Sequence, residues 1–214
     1  MKFNFAAAFV FAANLAYAAS VFAGPATETV APKGQQLAAR LDAMDVDSKW
    51  IAGQHVDWRS GLPDGRPVSE SGRHTHCSAF VAAAAEQLGV HILRPPEHGQ
   101  TLLANAQFEW LGEEGAAEGW RPLPDGDAAQ AAANAGQLVV AAYESHYADK
   151  PGHIAIVRPA ARSAAEIASE GPLVIQAGTV NSDAISLRAG FAGHPAAWGH
   201  QEVRYYAHKI ATRP

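Results

Sequence analysis

From residue 138 onward the apolar residues stop recurring at helical spacing. They come in short runs, at 138–143 (LVVAAY), 153–157 (HIAIV), 173–177 (LVIQA), 184–187 (AISL) and 203–208 (VRYYAH). Runs of four to six residues bounded by turn formers have the length of strands and are too short to cover one face of a helix. Upstream the pattern is different. Leu37, Leu41 and Met44 sit at helical spacing within 34–46. In 77–88, Phe80, Val81, Ala84 and Leu88 share one face, and Gly89 supplies a stop. A third helix is expected over 100–111, between Pro95-Pro96 and Gly112, and a fourth over 127–135, with Asp127 as N-cap and Gly136 at its end. Helices come first and strands follow. That order predicts an α+β domain, its N-terminal helices packed on a mostly antiparallel sheet of about five strands.

The chain has 214 residues, enough for one domain with a sizeable core. Lys2 followed by an apolar Ala/Phe-rich run to Ala23 has the form of a secretory signal peptide, with small-x-small cleavage patterns ending at Ala18 and Ala23. Cleavage after Ala23 is favoured, because Gly24-Pro25 opens a polar, extended stretch; a retained membrane anchor is the competing reading. The expected organisation is a signal peptide over 1–23, a flexible lead-in over 24–33 and a single domain over 34–214. The destination is then export, to the periplasm or beyond, with no membrane span in the mature chain. The formal charge of −5 gives no electrostatic reason to expect nucleic acid or an anionic membrane as partner. A single cysteine, Cys77, excludes an intramolecular disulfide and a Cys-rich zinc site.

A lone cysteine in an exported chain is a free thiol, either buried and inert or exposed and used. Cys77 falls at the expected start of an Ala-rich helix, where free backbone N–H groups and the helix dipole favour a thiolate. A thiol nucleophile also needs an imidazole as base and acid, held on a rigid element. His153 opens the second strand, after Pro151-Gly152. Gln176 is polar within an apolar strand, so its side-chain oxygen is a candidate to orient that imidazole, with Asn181 as the substitute. His153 could equally be an ordinary strand-edge residue, and Gln176 could face solvent.

These residues resemble a family. His76-Cys77-Ser78-Ala79-Phe80-Val81 is similar to the D-C-S-G-F-V segment of the NlpC-type and CHAP-type thiol peptidases and amidases, which are papain-like cell-wall hydrolases. The segment 134–140 resembles their P-G-D-L-V-F-F strand, and 151–157 their G-H-V-G-I-Y strand. Gln176 stands where the family carries its third polar residue. The resemblance runs over roughly 77–178 and implies a papain-like (NlpC-type) fold. It implies a cysteine peptidase or amidase with Cys77, His153 and Gln176 as catalytic residues, cell-wall (peptidoglycan) peptides as substrate, and no cofactor. His76 and Ser78, beside the nucleophile, are candidates for substrate or oxyanion contacts. The departures are His76, Ala79 and Gln137, which stand where the family has Asp, Gly and Asp, and a Trp- and Glu-rich segment over 95–126. The order Cys before His differs from that of the circularly permuted relatives that act on lipids.

Two other readings compete. One is a non-catalytic exported binding domain on the same scaffold, its cysteine buried and its histidine structural. The other is a metal-dependent hydrolase using His74 and His76, which would share a face if 74–76 were a strand. The five Trp residues would suit a sugar- or peptide-binding groove, or the core.

Overall fold

The computed structural model describes residues 29–67 and 74–211. The expected signal peptide over 1–23, and most of the expected lead-in, lie outside the described residues. The described part of that lead-in is partly helical: α1 spans Pro32–Asp42, with proline in its first turn, where the missing N–H costs no hydrogen bond. It stops four residues short of the expected end, before a turn in which Asp45 takes a positive φ of 58°.

Seven helices and six strands follow among the described residues: α1, α2 (Cys77–Leu88), α3 (Leu103–Gly112), β1 (Arg121–Leu123), α4 (Gly126–Asn134), β2 (Leu138–Tyr143), β3 (His153–Val157), α5 (Ala164–Glu170), β4 (Leu173–Gln176), β5 (Ser182–Ser186), α6 (Leu187–Gly190), α7 (Pro195–Gly199) and β6 (Arg204–His208). The fold class is α+β. All strand pairs are antiparallel, in the order β1-β6-β2-β3-β4-β5. The sheet has six strands rather than about five. The additional one, β1, is three residues long, lies at the edge and contains Pro122, which an edge strand tolerates.

Helices cover both faces of the sheet. Leu138, Val140, Ala142, Ile154, Ile156 and Ile175 pack in one cluster with α1, α2 and α3. Val139, Ala141, Ala155, Val157 and Val174 point the other way, into a second cluster with α4, Phe191 and Ala197. Side chains alternate across a strand, so each central strand serves both layers. Every residue of β2 and β3 is buried as a result, which is why these runs read as continuously apolar. The second layer draws on α6 and α7, of four and five residues, which are too short to leave a helical period in the sequence. Four of the five tryptophans, Trp50, Trp58, Trp110 and Trp120, are buried in the first cluster. Among the described residues no helix is long and apolar enough to cross a membrane.

One buried side chain ties the second layer to the sheet. Gln130 of α4 donates from Nε2 to the Arg158 carbonyl (2.9 Å) and to Asn134 Oδ1 (3.2 Å), and its Oε1 accepts from the Leu173 N–H (2.9 Å). Its amide completes the backbone hydrogen bonding where β3 ends and β4 begins. Gln130→Leu leaves the Arg158 carbonyl and the Leu173 N–H without this partner and should lower stability by about 2–4 kcal/mol, read as a lower midpoint in chemical denaturation.

Candidate active site

Three elements converge where β3 begins. The first is the N-terminus of α2, which carries Cys77. Its N-cap, His76, supplies no side-chain hydrogen bond to the first turn, so the leading N–H groups of the helix remain available to other acceptors. Gln107 of α3 holds this end of α2 by donating to the Ser78 carbonyl (3.2 Å) and to the Leu93 carbonyl (2.9 Å). The α2 side chains Ala79 and Ala82 to Ala85 are all buried in the core cluster, and their small size lets the helix lie close to β3.

The second element is the turn into β3. The Gly152 N–H donates to Asn105 Oδ1 (2.6 Å), and Asn105 Nδ2 donates to the Lys150 carbonyl (3.2 Å). A Cβ on Gly152 would collide with the Tyr143 carbonyl oxygen, so only glycine fits at this approach. The turn thereby sets where His153 starts.

The third element is β4 with the residues after it. His153 Nε2 and Gln176 Oε1 are 2.8 Å apart, with both side chains buried. Gln176 Nε2 donates to the Val180 carbonyl (3.0 Å). That bond orients the amide so that Oε1 faces the imidazole and accepts from it. His153 therefore carries its proton on Nε2, and Nδ1 is left as the acceptor nitrogen. Gly190 approaches the pair from α6, where a Cβ would lie 2.7 Å from Gln176 Oε1. The Phe191 ring sits edge-on to the imidazole at 4.6 Å, and His194 stacks beside it at 5.7 Å. Asn181 is engaged elsewhere: its Nδ2 donates to the carbonyls of Val46 (2.8 Å) and Lys49 (2.7 Å). The imidazole is thus oriented by Gln176 and not by Asn181.

The structure brings His153 and Gln176 together directly. Cys77 reaches the same strand at the next residue, where its thiol lies against the Ile154 N–H. Among the described residues no hydrogen bond joins thiol to imidazole. The thiol approaches β3 from the layer of α2, whereas the His153 ring rests against Phe191 and His194, on the side of the second layer.

Burial sets the protonation of both groups. It pushes the Cys77 thiol above its ordinary value of 9.0, against the opposing pull of the Ile154 and Ser78 N–H groups and the Thr75 hydroxyl. This reverses the expectation drawn from the helix start: the dipole favours the thiolate, but at 3% exposure the loss of solvation is the larger effect. Burial likewise pushes His153 below 6.5, opposed by its bond to Gln176. The resting groups are therefore a neutral thiol and a neutral imidazole.

Cys77 and Ser78 form part of the lining of a cavity of about 580 Å³, shared with His55, Arg66, His74, His76 and the stretch from Gln100 to Ala104. His153 and Gln176 do not line it. Of the segment over 95–126, whose role the sequence left open, residues 100–104 line this cavity and β1 forms an edge of the sheet. His74 and His76 lie in the loop before α2 and not in a strand. His76 is buried with its Nε2 2.9 Å from the Gln54 carbonyl, to which it donates, and the His74 ring lies 5.7 Å from that of His55. Among the described residues no group of three or more His, Cys, Asp or Glu side chains is placed to hold a metal ion. Sequence reasoning missed His55, Arg66, Phe191 and His194. The first two sit in a loop without periodicity. His194 precedes a proline, which signals a turn and nothing about chemistry.

No protein-family model matches the chain, and no curated protein matches it.

Two outcomes follow from the burial. Native Cys77 should react with iodoacetamide much more slowly than the unfolded chain at neutral pH, with a rate that rises into the alkaline range, as followed by mass spectrometry. His76, His153 and His194 are all held below 6.5 chiefly by burial, His194 at about 4. In each case the unfolded chain binds the proton more readily. Stability is therefore complete above 6.5 and declines as pH falls below it, levelling off beneath the folded-state values. Thermal melts across this range should show that decline, and His194→Asn should reduce it.

Proposed function

We propose that the chain is an exported cysteine hydrolase of papain-like (NlpC-type) fold that cleaves an amide bond, with peptidoglycan peptides as its substrates. The observation that carries this reading is the orientation of the Gln176 amide by the Val180 carbonyl. It leaves His153 Nδ1 as a proton acceptor on the strand whose next N–H touches the Cys77 thiol. The order of the four motifs along the chain supports the same reading.

Because thiol and imidazole are both neutral at rest, the chemistry proceeds by general base catalysis and not from a standing ion pair. In this reading Nδ1 takes the S–H proton as Sγ attacks the carbonyl carbon, a step that requires the thiol and the ring to move from their resting positions on the two sides of β3 into hydrogen-bond reach. The Cys77 N–H steadies the oxyanion. Nδ1–H then protonates the departing amine as the C–N bond breaks, leaving a thioester. Water, deprotonated by Nδ1, attacks the thioester; the acid leaves and the thiol regains its proton. Gln176 holds the ring throughout and stabilises the imidazolium through Nε2–H.

A second reading, a non-catalytic binding domain, is favoured by one observation: the thiol is 3% exposed and held in its neutral form. Digestion of isolated peptidoglycan, with products resolved by mass, separates the two. New amine termini should appear with the mature protein, fall by about 10³-fold or more in Cys77→Ala and His153→Ala, and fall by about 10-fold or more in Gln176→Ala. The acid limb of kcat/KM should lie below pH 6.5, because His153 must be neutral to accept the proton and burial keeps it neutral to lower pH. Absence of products from a folded protein, with Cys77→Ala indistinguishable from the parent, would favour the binding domain. Cleavage that survives Cys77→Ala and is lost on chelation would establish a metal-dependent hydrolase using His74 and His76.

A further inference from the structure

The cavity in front of Cys77 has a lining that the thiol chemistry does not require. Three imidazoles, of His55, His74 and His76, contribute to its lining. His55 and His74 face each other at 5.7 Å, and the charged forms of both push His76 toward its neutral form, burial being the larger cause. Positive charge on neighbouring imidazoles is mutually repulsive, so an anion beside them is favoured. The other charged and titratable groups in the lining are Arg66, Asp149 and Cys77. Arg66 is already paired with Asp64 at 2.5 Å, and that carboxylate also lies within electrostatic reach of His55; Asp149 is exposed, and Cys77 is neutral. The cavity floor is the uncapped first turn of α2, whose N–H groups and dipole also favour negative charge. The rest of the lining combines the polar Thr75, Gln100 and Thr101 with the apolar Val56, Leu102, Leu103, Ala104 and Pro151. At about 580 Å³ the space exceeds that of a simple ion.

We propose that this cavity takes the terminal carboxylate of a short aliphatic peptide, the carboxylate lying among His55, His74 and His76 and the aliphatic side chains against the Leu102–Ala104 wall. The proposal rests on the hydrolase reading above and narrows it: the preferred scissile amide lies close to a free carboxyl terminus.

The test is a calorimetric titration of the Cys77→Ala protein, which binds without turnover, with N-acetyl-Ala-Ala and with its C-terminal amide. The acid should bind at least about tenfold more tightly than the amide near pH 6, and this advantage should shrink toward pH 8 as the imidazoles lose their protons. Proton NMR of the imidazole Hε1 signals should show upward pKa shifts on adding the acid and none on adding the amide. His55→Asn and His74→Asn should abolish the preference for the acid while leaving amide binding unchanged. The comparison of acid with amide in the parent protein stands whether or not these variants fold. Equal binding of acid and amide, a preference independent of pH, no binding of either, or an equal gain with inorganic phosphate would each overturn the proposal. The two readings fail separately. Acid-selective binding without peptidoglycan cleavage removes the hydrolase and leaves the carboxylate site; cleavage without acid selectivity does the reverse.

Discussion

Enclosure of β2 and β3 between two helical layers is the constraint from which the rest of the site follows. A strand buried on both faces offers no water to a polar side chain, so each polar group there must be paired within the protein. His153 and Gln176 answer that demand with each other, and the Val180 carbonyl satisfies the remaining donor of the amide. Gln130 does the same for the backbone at the far end of β3. The two amide-centred arrangements are physically alike: each converts buried polarity into a fixed orientation. They differ in what is left over. Gln130 is spent on backbone groups, whereas the Gln176 pair leaves an imidazole nitrogen whose lone pair is not needed for structure.

The same burial shifts the balance of the thiol chemistry. A helix N-terminus stabilises a thiolate by roughly a kcal/mol or less at the surface, and removing a charged sulfur from water costs several times that. With the thiol raised and the imidazole lowered, transfer of the proton between them is uphill until something changes the surroundings. A ligand seated in the cavity would be such a change, since it would replace solvent beside the thiol. A thiol buried and held neutral in this way is slow to react with small electrophiles.

Much of this architecture was legible in the amino-acid pattern. The limits of α2 at Cys77 and Leu88, and of β2 and β3, coincide with expectation, because strong apolar runs there end at Gly89, Pro159 or a Gly-rich turn. The elements that escaped were β1, α5, α6 and α7, three to seven residues each. Of these α5 did carry a readable sign, the capping box of Ser163 and Glu166. Proximity of Gln176 to His153 was readable from alternation on adjacent strands. The neutral state of the thiol was not readable: it depends on how completely α3, β3 and the loop before α2 enclose Cys77, and enclosure is a property of tertiary packing. The imidazole cluster was hidden for a related reason. His55 is 19 positions from His74, in a loop with no period, and only the folded chain brings their rings together.

The division of labour across β3 bears on how such a protein could be selective. The His153–Gln176 pair is held by α6, by the residues after β4 and by the second layer, and none of its contacts involves the cavity wall. The cavity is formed by the loop before α2, the loop around His55 and Arg66, and the start of α3. Changes in those loops alter the shape and charge of the cavity without passing through the hydrogen bonds that orient the imidazole. Cys77 lines the cavity from its place at the head of α2 and touches β3 through the Ile154 N–H, one residue along from His153. The cavity and the His153–Gln176 pair are therefore built from separate parts of the chain, with Cys77 at the head of α2 between them.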